Sequence, residues 1–564
     1  MNIKELYDKN EQINIETYLS KCGVKDIEEY LNPSGKYLDD CMLYNNIRDG
    51  VQEIKYHCLT ENNKIFIIQD GDCDGVCCTV MLYQYLIALK EDLDISILIH
   101  TSKQRGLDDE DIMNRIREEK PNLVIIPDAG TNNKIQAKEL CDLGIGLLVI
   151  DHHDIATPIE HGTLINNQDP KSNVSKNGSG ALVTHKFLQA LDKEFNLEWS
   201  SWFIDLVALS LISDSMDMSE MENREYYHYG LETIECVNNE FLKHLIDSFI
   251  GNEYTQKDLS FKVIPKINSI CRHKNIEYKQ RLIMAFIGQD NLDEVFDIVS
   301  QAHKDQIDTV NNIIELNVDK IEEIKDNNLI VFASDDIPRS YSGLVCAKIM
   351  NICNNKPTIV GSIKDGEFIG SLRSPIPLRS DLDNNDLVEW ASGHEDSCGI
   401  LIKENNIKQL VDYYNGLTLS YSPCISVLKS YTVKSIPTKL FGLFEPYNVL
   451  WNGKGLQKPM FHISNITFNP SDVQIMGKTK RVIKIHSNGI DFMIFNCLKE
   501  DKEKLGLGYY EDGCFVSSPK KEKMQLECVG ELGINEWNGN KKLQVIIDKY
   551  EIMCYNKKTK KDIF

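Results

Sequence analysis

No run of about 18 apolar residues occurs anywhere in the chain, so no helical membrane span is expected. The opening residues, MNIKELYDKNEQ, are charged and offer no apolar core for a signal peptide. The 17 cysteines are scattered with no CxxC spacing, which points away from zinc sites and disulfide frameworks and towards reduced thiols. A cytoplasmic protein is the expectation. Internal repeats and long low-complexity segments are missing too. Positive charge is scarce: 62 Lys and Arg face 85 Asp and Glu, for a net charge of −23. That balance counts against a nucleic-acid partner only on average. Phosphate attraction follows the local field, and bound divalent cations invert the sign of a carboxylate-rich site. Basic clusters do remain, at Lys478, Lys480 and Arg481, at Lys520, Lys521 and Lys523, and at Lys557, Lys558, Lys560 and Lys561.

What is present suggests several domains. A chain of 564 residues exceeds one hydrophobic core, and three or four domains are expected. From residue 64 short apolar runs alternate with helix-like stretches: KIFIIQD (64–70), ISILIH (95–100), LVIIPD (123–128) and LLVID (147–151). This alternation predicts parallel βαβ units, whose ligands bind at the carboxyl ends of the strands. Three of the four runs end on aspartate. Residues 226–325 carry apolar positions at helical spacing and read as a connector. A second α/β pattern starts at NLIVFAS (328–334), and beyond 425 short β-like segments predict a small barrel. The expected boundaries are 1–50, 51–225, 226–325, 326–420 and 425–564.

The chemistry gathers at the strand ends. Asp70, Asp72 and Asp74 follow the first run at alternate positions, Asp128 closes the third, and Asp151, His152 and His153 end the fourth. Asp214 ends an apolar helix-like run. Each alone reads equally as a solvated turn, a helix cap or a structural pair. Together, carboxylates with one or two imidazoles suit Mg²⁺ or Mn²⁺ better than zinc. Such a set can bridge two ions roughly 3.5–4 Å apart, the arrangement that serves phosphoryl transfer. In the β-rich region, Trp451, Phe461 and Trp537 lie near Lys454, Lys458, Lys541 and Lys542. They read either as platforms for unpaired bases or, Phe461 above all, as barrel core.

DGDCDG, PDAG, DHH and LISD, in this order, resemble the motifs of the DHH phosphoesterases. SGALVTHKFLQAL, MENREYYHYGL, IPKINSICR, GSLRSP, SGHEDSCG and ELGINEWNGNKKLQVIID narrow the resemblance to RecJ. It implies a DHH catalytic domain, a helical connector, a DHH-associated domain and an OB-fold. The implied activity is 5′→3′ exonucleolytic release of mononucleotides from single-stranded DNA, in recombination and repair. Carried over by residue, Asp72, Asp74, Asp128, His152 and Asp214 become ligands of two Mn²⁺ or Mg²⁺ ions. His153 would face the scissile phosphate, with Asp151 orienting the histidine pair. Arg272, Ser371 and Arg373 would pocket the DNA 5′ end, and His394 would lie near the cleft. Gly71, Ala129, Lys266 and Ser392 depart from the family without removing a ligand. Arg105 is the candidate for a further phosphate-binding arginine, with Lys103 as the alternative. Helicase and single-strand-binding protein are implied partners, and the extended plan fits a monomer. Two other functions remain open: a DHH phosphoesterase acting on very short oligonucleotides, and an inactive DNA-binding scaffold.

Overall fold

The computed structural model describes residues 1–553 apart from 59–62, 102–104, 418–424, 452–454, 478–479, 496, 512–513, 538 and the side chain of Trp537. Lys103, Lys454, Lys478 and the basic cluster at 557–561 therefore lie outside the described residues. The chain forms two compact units, residues 28–421 and residues 1–27 joined with 422–564.

The larger unit begins with a parallel sheet of β1 (Lys64–Gln69), β2 (Asp94–Ile99), β3 (Leu123–Pro127), β4 (Gly146–Asp151) and β5 (Thr163–Asn166). Its order is β2-β1-β3-β4-β5, all parallel. The apolar runs are unbroken because both faces are covered. Ile65 and Ile67 of β1 enter one core with Ile125 and Ile150, while Phe66 and Ile68 enter a second core with Val124 and Val149. That two-residue alternation sends neighbours to opposite faces. β2 lies on one side of β1 and β3 on the other, so the chain changes direction between β1 and β3. Crevices at such switch points are where open α/β sheets bind ligands.

Helices α1 (Ile47–Cys58), α2 (Cys73–Leu89), α3 (Gly180–Phe195) and α4 (Ile204–Ser213) supply residues to the first core. There follow α5 (Met221–Leu231), α6 (Ile264–Cys271), α7 (Ile276–Ile287) and the 25-residue α8 (Leu292–Leu316). α8 buries Val295, Val299, Ala302, Gln306, Val310, Ile313 and Ile314, one stripe at helical spacing. Beyond it stands a second sheet of β6 (Ile330–Ala333), β7 (Thr358–Lys364), β8 (Glu367–Arg373), β9 (Trp390–His394) and β10 (Ser397–Lys403), in the order β9-β10-β8-β7-β6. Only β6 and β7 run parallel. Helix α9 (Ser342–Ile352) makes the parallel crossover between them.

The other unit is β-rich. A seven-stranded sheet orders 430–432, 461–468, 524–537, 540–553, 490–494, 482–487 and 474–476. The first residues of the chain belong to this unit, where Ile3–Glu5 pairs in parallel with Ile425–Val427.

Candidate metal centre

The acidic groups arrive from the carboxyl ends of β1, β3 and β4 and from the end of α4. Asp72 caps α2, its carboxylate accepting the Gly75 amide at 3.1 Å. Asp74 is fully buried and accepts the Gly180 and Ala181 amides at 2.8 and 2.9 Å and the Ser210 hydroxyl at 2.5 Å. It therefore sits on the positive end of α3, where free amides and the helix dipole favour an anion. Asp128 follows β3 in the left-handed region, at φ 66°. A Cβ on Gly180 would lie 2.4 Å from Asp128 Oδ1, so only glycine lets α3 approach so closely. Asp214 is the C-cap of α4.

Asp151 ends β4 and collects five hydrogen bonds. Oδ2 accepts from Thr131 N at 3.0 Å and Thr131 Oγ1 at 2.6 Å. Oδ1 accepts from the His152 and His153 amides at 2.7 and 3.1 Å and bonds His153 Nδ1 at 2.8 Å. Burial pushes this carboxyl up, but the hydrogen bonds from His153 and Thr131 pull against it and hold Asp151 below the usual carboxylate range. Its five hydrogen bonds fix the position of the His152–His153 backbone and the His153 ring.

His152 Nδ1 meets the Gly178 carbonyl at 3.1 Å, so Nδ1 carries the proton and Nε2 is bare. Nε2 lies 3.2 Å from Asp128 Oδ1, 3.4 Å from Asp214 Oδ2 and 3.9 Å from Asp74 Oδ2. His152 Nε2, Asp128 Oδ1 and both oxygens of Asp70 are buried without a hydrogen-bond partner. Such orphaned groups cost about 1–3 kcal/mol each, and more when charged. Burial, reinforced by Asp74 and Asp72, pushes Asp128 and Asp214 well above the ordinary carboxylate value. A cation removes both penalties. Donor atoms of Asp70, Asp72 and Asp128 lie within 4.8 Å of one another, as do those of Asp74, His152 and Asp214. The residues therefore fit hard divalent ions, and Asp70, part of the acidic cluster in the sequence but absent from the ligand set that the resemblance implied, stands among the donors.

Arg105 closes the rim. Its guanidinium stands 3.7 Å from both Asp70 Oδ2 and Asp72 Oδ2, and its Nη1 is 2.9 Å from His153 Nε2. An arginine only donates, so His153 Nε2 accepts here and the Nδ1 proton points to Asp151. Arg272 follows α6, where burial pushes its guanidinium down, with Asp72 pulling against that and Arg373 adding to it. Arg373 ends β8 and donates from Nη1 to its own neighbour's carbonyl, Leu372 O, at 2.7 Å. A Cβ on Gly343, in the first turn of α9, would lie 2.7 Å from Arg373 Nη2. Ser371 Oγ lies 2.8 Å from Ser342 Oγ at the start of the same helix.

Residues 64–211 match the DHH family, N-terminal domain, and residues 443–549 match the RecJ OB domain. In both parts the chain is similar to RecJ-type exonucleases. It is 24% identical to a putative SPbeta prophage-derived single-strand DNA-specific exonuclease, YorK, of Bacillus subtilis, over 97% of both chains. Bacillus subtilis RecJ, a single-stranded-DNA-specific exonuclease, is also 24% identical, over 89% of this chain and 63% of the relative. Among solved structures, Thermus thermophilus RecJ in complex with Mn²⁺ superposes with a TM-score of 0.73 at 19% identity, covering 95% of this chain and 75% of that one.

His394 is exposed at the end of β9, after Gly393 at φ 131°. Trp451 corrects the expectation of a stacking platform. It is 4% exposed and packs edge-on against Tyr18 and Phe444, so no face remains for a base. Phe461 is buried in the same way. The side chain of Trp537 lies outside the described part. Several residues of the centre went unnoticed in the sequence: Thr131, Gly178, Gly180 and Ser210. Ser210, one helical turn before Asp214, and Thr131, three residues after Asp128, were the detectable ones, because polar residues next to a ligand on one face are candidates to orient it.

Proposed function

We propose that the chain is a metal-dependent 5′→3′ exonuclease that removes mononucleotides from single-stranded DNA. The observation that carries this reading is the set of unpaired buried groups of Asp70, Asp128 and His152, with Asp214 3.4 Å from His152 Nε2 and Arg105 on the rim. Asp72, Asp74, Asp128, His152 and Asp214, with Asp70 beside them, would hold two divalent cations, Mn²⁺ or Mg²⁺. Bound there, such ions supply an activated water and neutralise charge on the phosphodiester. Gly180, Ala181 and Ser210 hold Asp74 in place, and Gly178 fixes the His152 tautomer. His153, oriented by Asp151, turns Nε2 to the rim, where with Arg105 it would bind a phosphate oxygen of the scissile group.

Arg272, Ser371 and Arg373 would take the 5′-terminal phosphate. Guanidinium forks match its oxygens, and the start of α9 adds amides of the right polarity. His394 would contact the strand between the two sites. Single-strand-binding protein and a helicase are the expected working partners of a monomeric enzyme, the helicase because a duplex offers no free end.

Digestion of 5′- and 3′-labelled single strands tests the reading, with Mn²⁺, with Mg²⁺ and with chelator. Immediate metal-dependent release of mononucleotide from the 5′ label, beside progressive shortening of the 3′-labelled strand, is expected. Cleavage confined to two- to five-residue oligonucleotides would replace the exonuclease with a small-substrate phosphoesterase. Binding without cleavage would make the chain a scaffold.

A further inference from the structure

Helix α5 carries four consecutive polar residues, Glu222, Asn223, Arg224 and Glu225, all 6% exposed or less. Burying such a run is costly unless every group finds a partner. Three of the four hold one segment. Glu222 accepts the Asp39 amide at 2.9 Å, Arg224 Nε donates to Tyr30 O at 3.0 Å, and Glu225 accepts the Gly35 amide at 2.8 Å. These bonds fasten residues 30–39 to the helix.

Asn223 does something else. Its Nδ2 donates to Asn177 O at 2.7 Å and to Asp217 O at 2.9 Å. Both partners are carbonyls, so the amide nitrogen must face them and both of its hydrogens are used. Asn177 immediately precedes Gly178, whose carbonyl holds His152 Nδ1, and Gly180, whose amide holds Asp74. Asp217 lies three residues beyond Asp214, after a turn through Ser215 at φ 53°. One side chain thus ties together the two loops that set His152, Asp74 and Asp214. An outer tie, Asn177 Nδ2 to Glu220 Oε1 at 3.0 Å, links the same loops at the surface.

We propose that Asn223 is a positioning residue for the metal centre, locking the loop that orients His152 and Asp74 to the loop that carries Asp214. This rests on reading the carboxylate cluster as a divalent-metal site. Without the tie, each loop keeps its own hydrogen bonds but the separation between Asp214 and His152 is free to drift. Groups that orient metal ligands in this way commonly change affinity by about 10–100-fold.

Calorimetric titration of the full chain with Mn²⁺ alone, without DNA, is the test. Asn223→Ala and the volume-keeping Asn223→Leu should weaken Mn²⁺ binding about tenfold. Glu225→Gln, which loosens only residues 35–37, should lower Tm and leave Mn²⁺ affinity within twofold of wild type. The half-buried Glu220→Ala, which removes the outer tie, should weaken binding about fourfold, and it decides the matter if neither Asn223 variant folds. Wild-type affinity in a folded Asn223 variant overturns the proposal, as does equal weakening by Glu225→Gln. Should the Asn223 variants fail to fold, unchanged affinity in Glu220→Ala overturns it. A wild-type chain that takes up no Mn²⁺ would instead sink the reading of the cluster itself.

Discussion

Asp128 and Arg373 stand at strand ends in the two sheets of the larger unit, and their surroundings treat charge in opposite ways. Asp128 is buried among Asp74, Asp72, Asp214 and Asp70, with one oxygen lacking any hydrogen bond. Arg373 is half-buried, bonded to Leu372 O and seated against Gly343. The carboxylate centre is thus incomplete in itself, whereas Arg373 is held in place by its own neighbours. A ligand should be felt as stability at the first and as selectivity at the second. Buried carboxylates that outnumber their one nearby guanidinium, Arg105, raise the free energy of the empty site, while a guanidinium with one bond made loses little by waiting.

The sharpest break of this contrast is Asp128→Ala. Nuclease activity should fall on the order of a thousandfold, while the Tm in chelator holds or rises because one buried like charge is gone. Thermal melts with and without Mn²⁺ check both halves; a Tm drop of many degrees in chelator would mean the carboxylate is a structural partner after all. Arg373→Ala should act differently, costing roughly 10–100-fold in preference for 5′-phosphorylated over 5′-hydroxyl ends, the worth of charge-assisted hydrogen bonds. Mn²⁺ affinity should be untouched. Gly343→Ala should give a weaker version, about tenfold, because its methyl group displaces the guanidinium without removing it. Competition between the two kinds of end measures both.

Thr131→Val probes the orienting groups. It removes one of the five hydrogen bonds on Asp151, worth about 1 kcal/mol, and should lower kcat about fivefold with little change in KM. An unchanged kcat would show that the remaining four bonds suffice. Smallest of all, Trp451→Phe should leave single-strand affinity within about twofold while lowering Tm by a few degrees, the mark of a core residue. A tenfold loss of affinity with full stability would return Trp451 to the DNA-binding surface.

The larger elements could be read because each rests on a local pattern. The apolar runs at 64–70, 95–100, 123–128 and 147–151 became β1 to β4 within a residue or two, since strands covered on both faces need no polar alternation. The brief strand Thr163–Asn166 and the mostly antiparallel second sheet were not apparent, because edge strands and strand direction depend on partners far along the chain. Trp451 was misplaced for a related reason: lysines near it in sequence suggested a binding surface, and packing against Tyr18, more than 400 residues away, put it inside.

By itself, then, the sequence determined the parallel sheet and the residue types that meet at its strand ends. These follow from hydrophobic periodicity and from the chemistry of carboxylate and imidazole. Only the tertiary structure decided that Asp70 joins the donors, that His152 presents Nε2 and not Nδ1, and that Gly180, Ser210, Thr131 and Asn223 hold the centre in place. Asp74 meets Gly180 across 106 residues and Ser210 across 136. Hydrogen-bond geometry at such separations is set by how helices and strands pack, and no pattern of neighbouring residues encodes it.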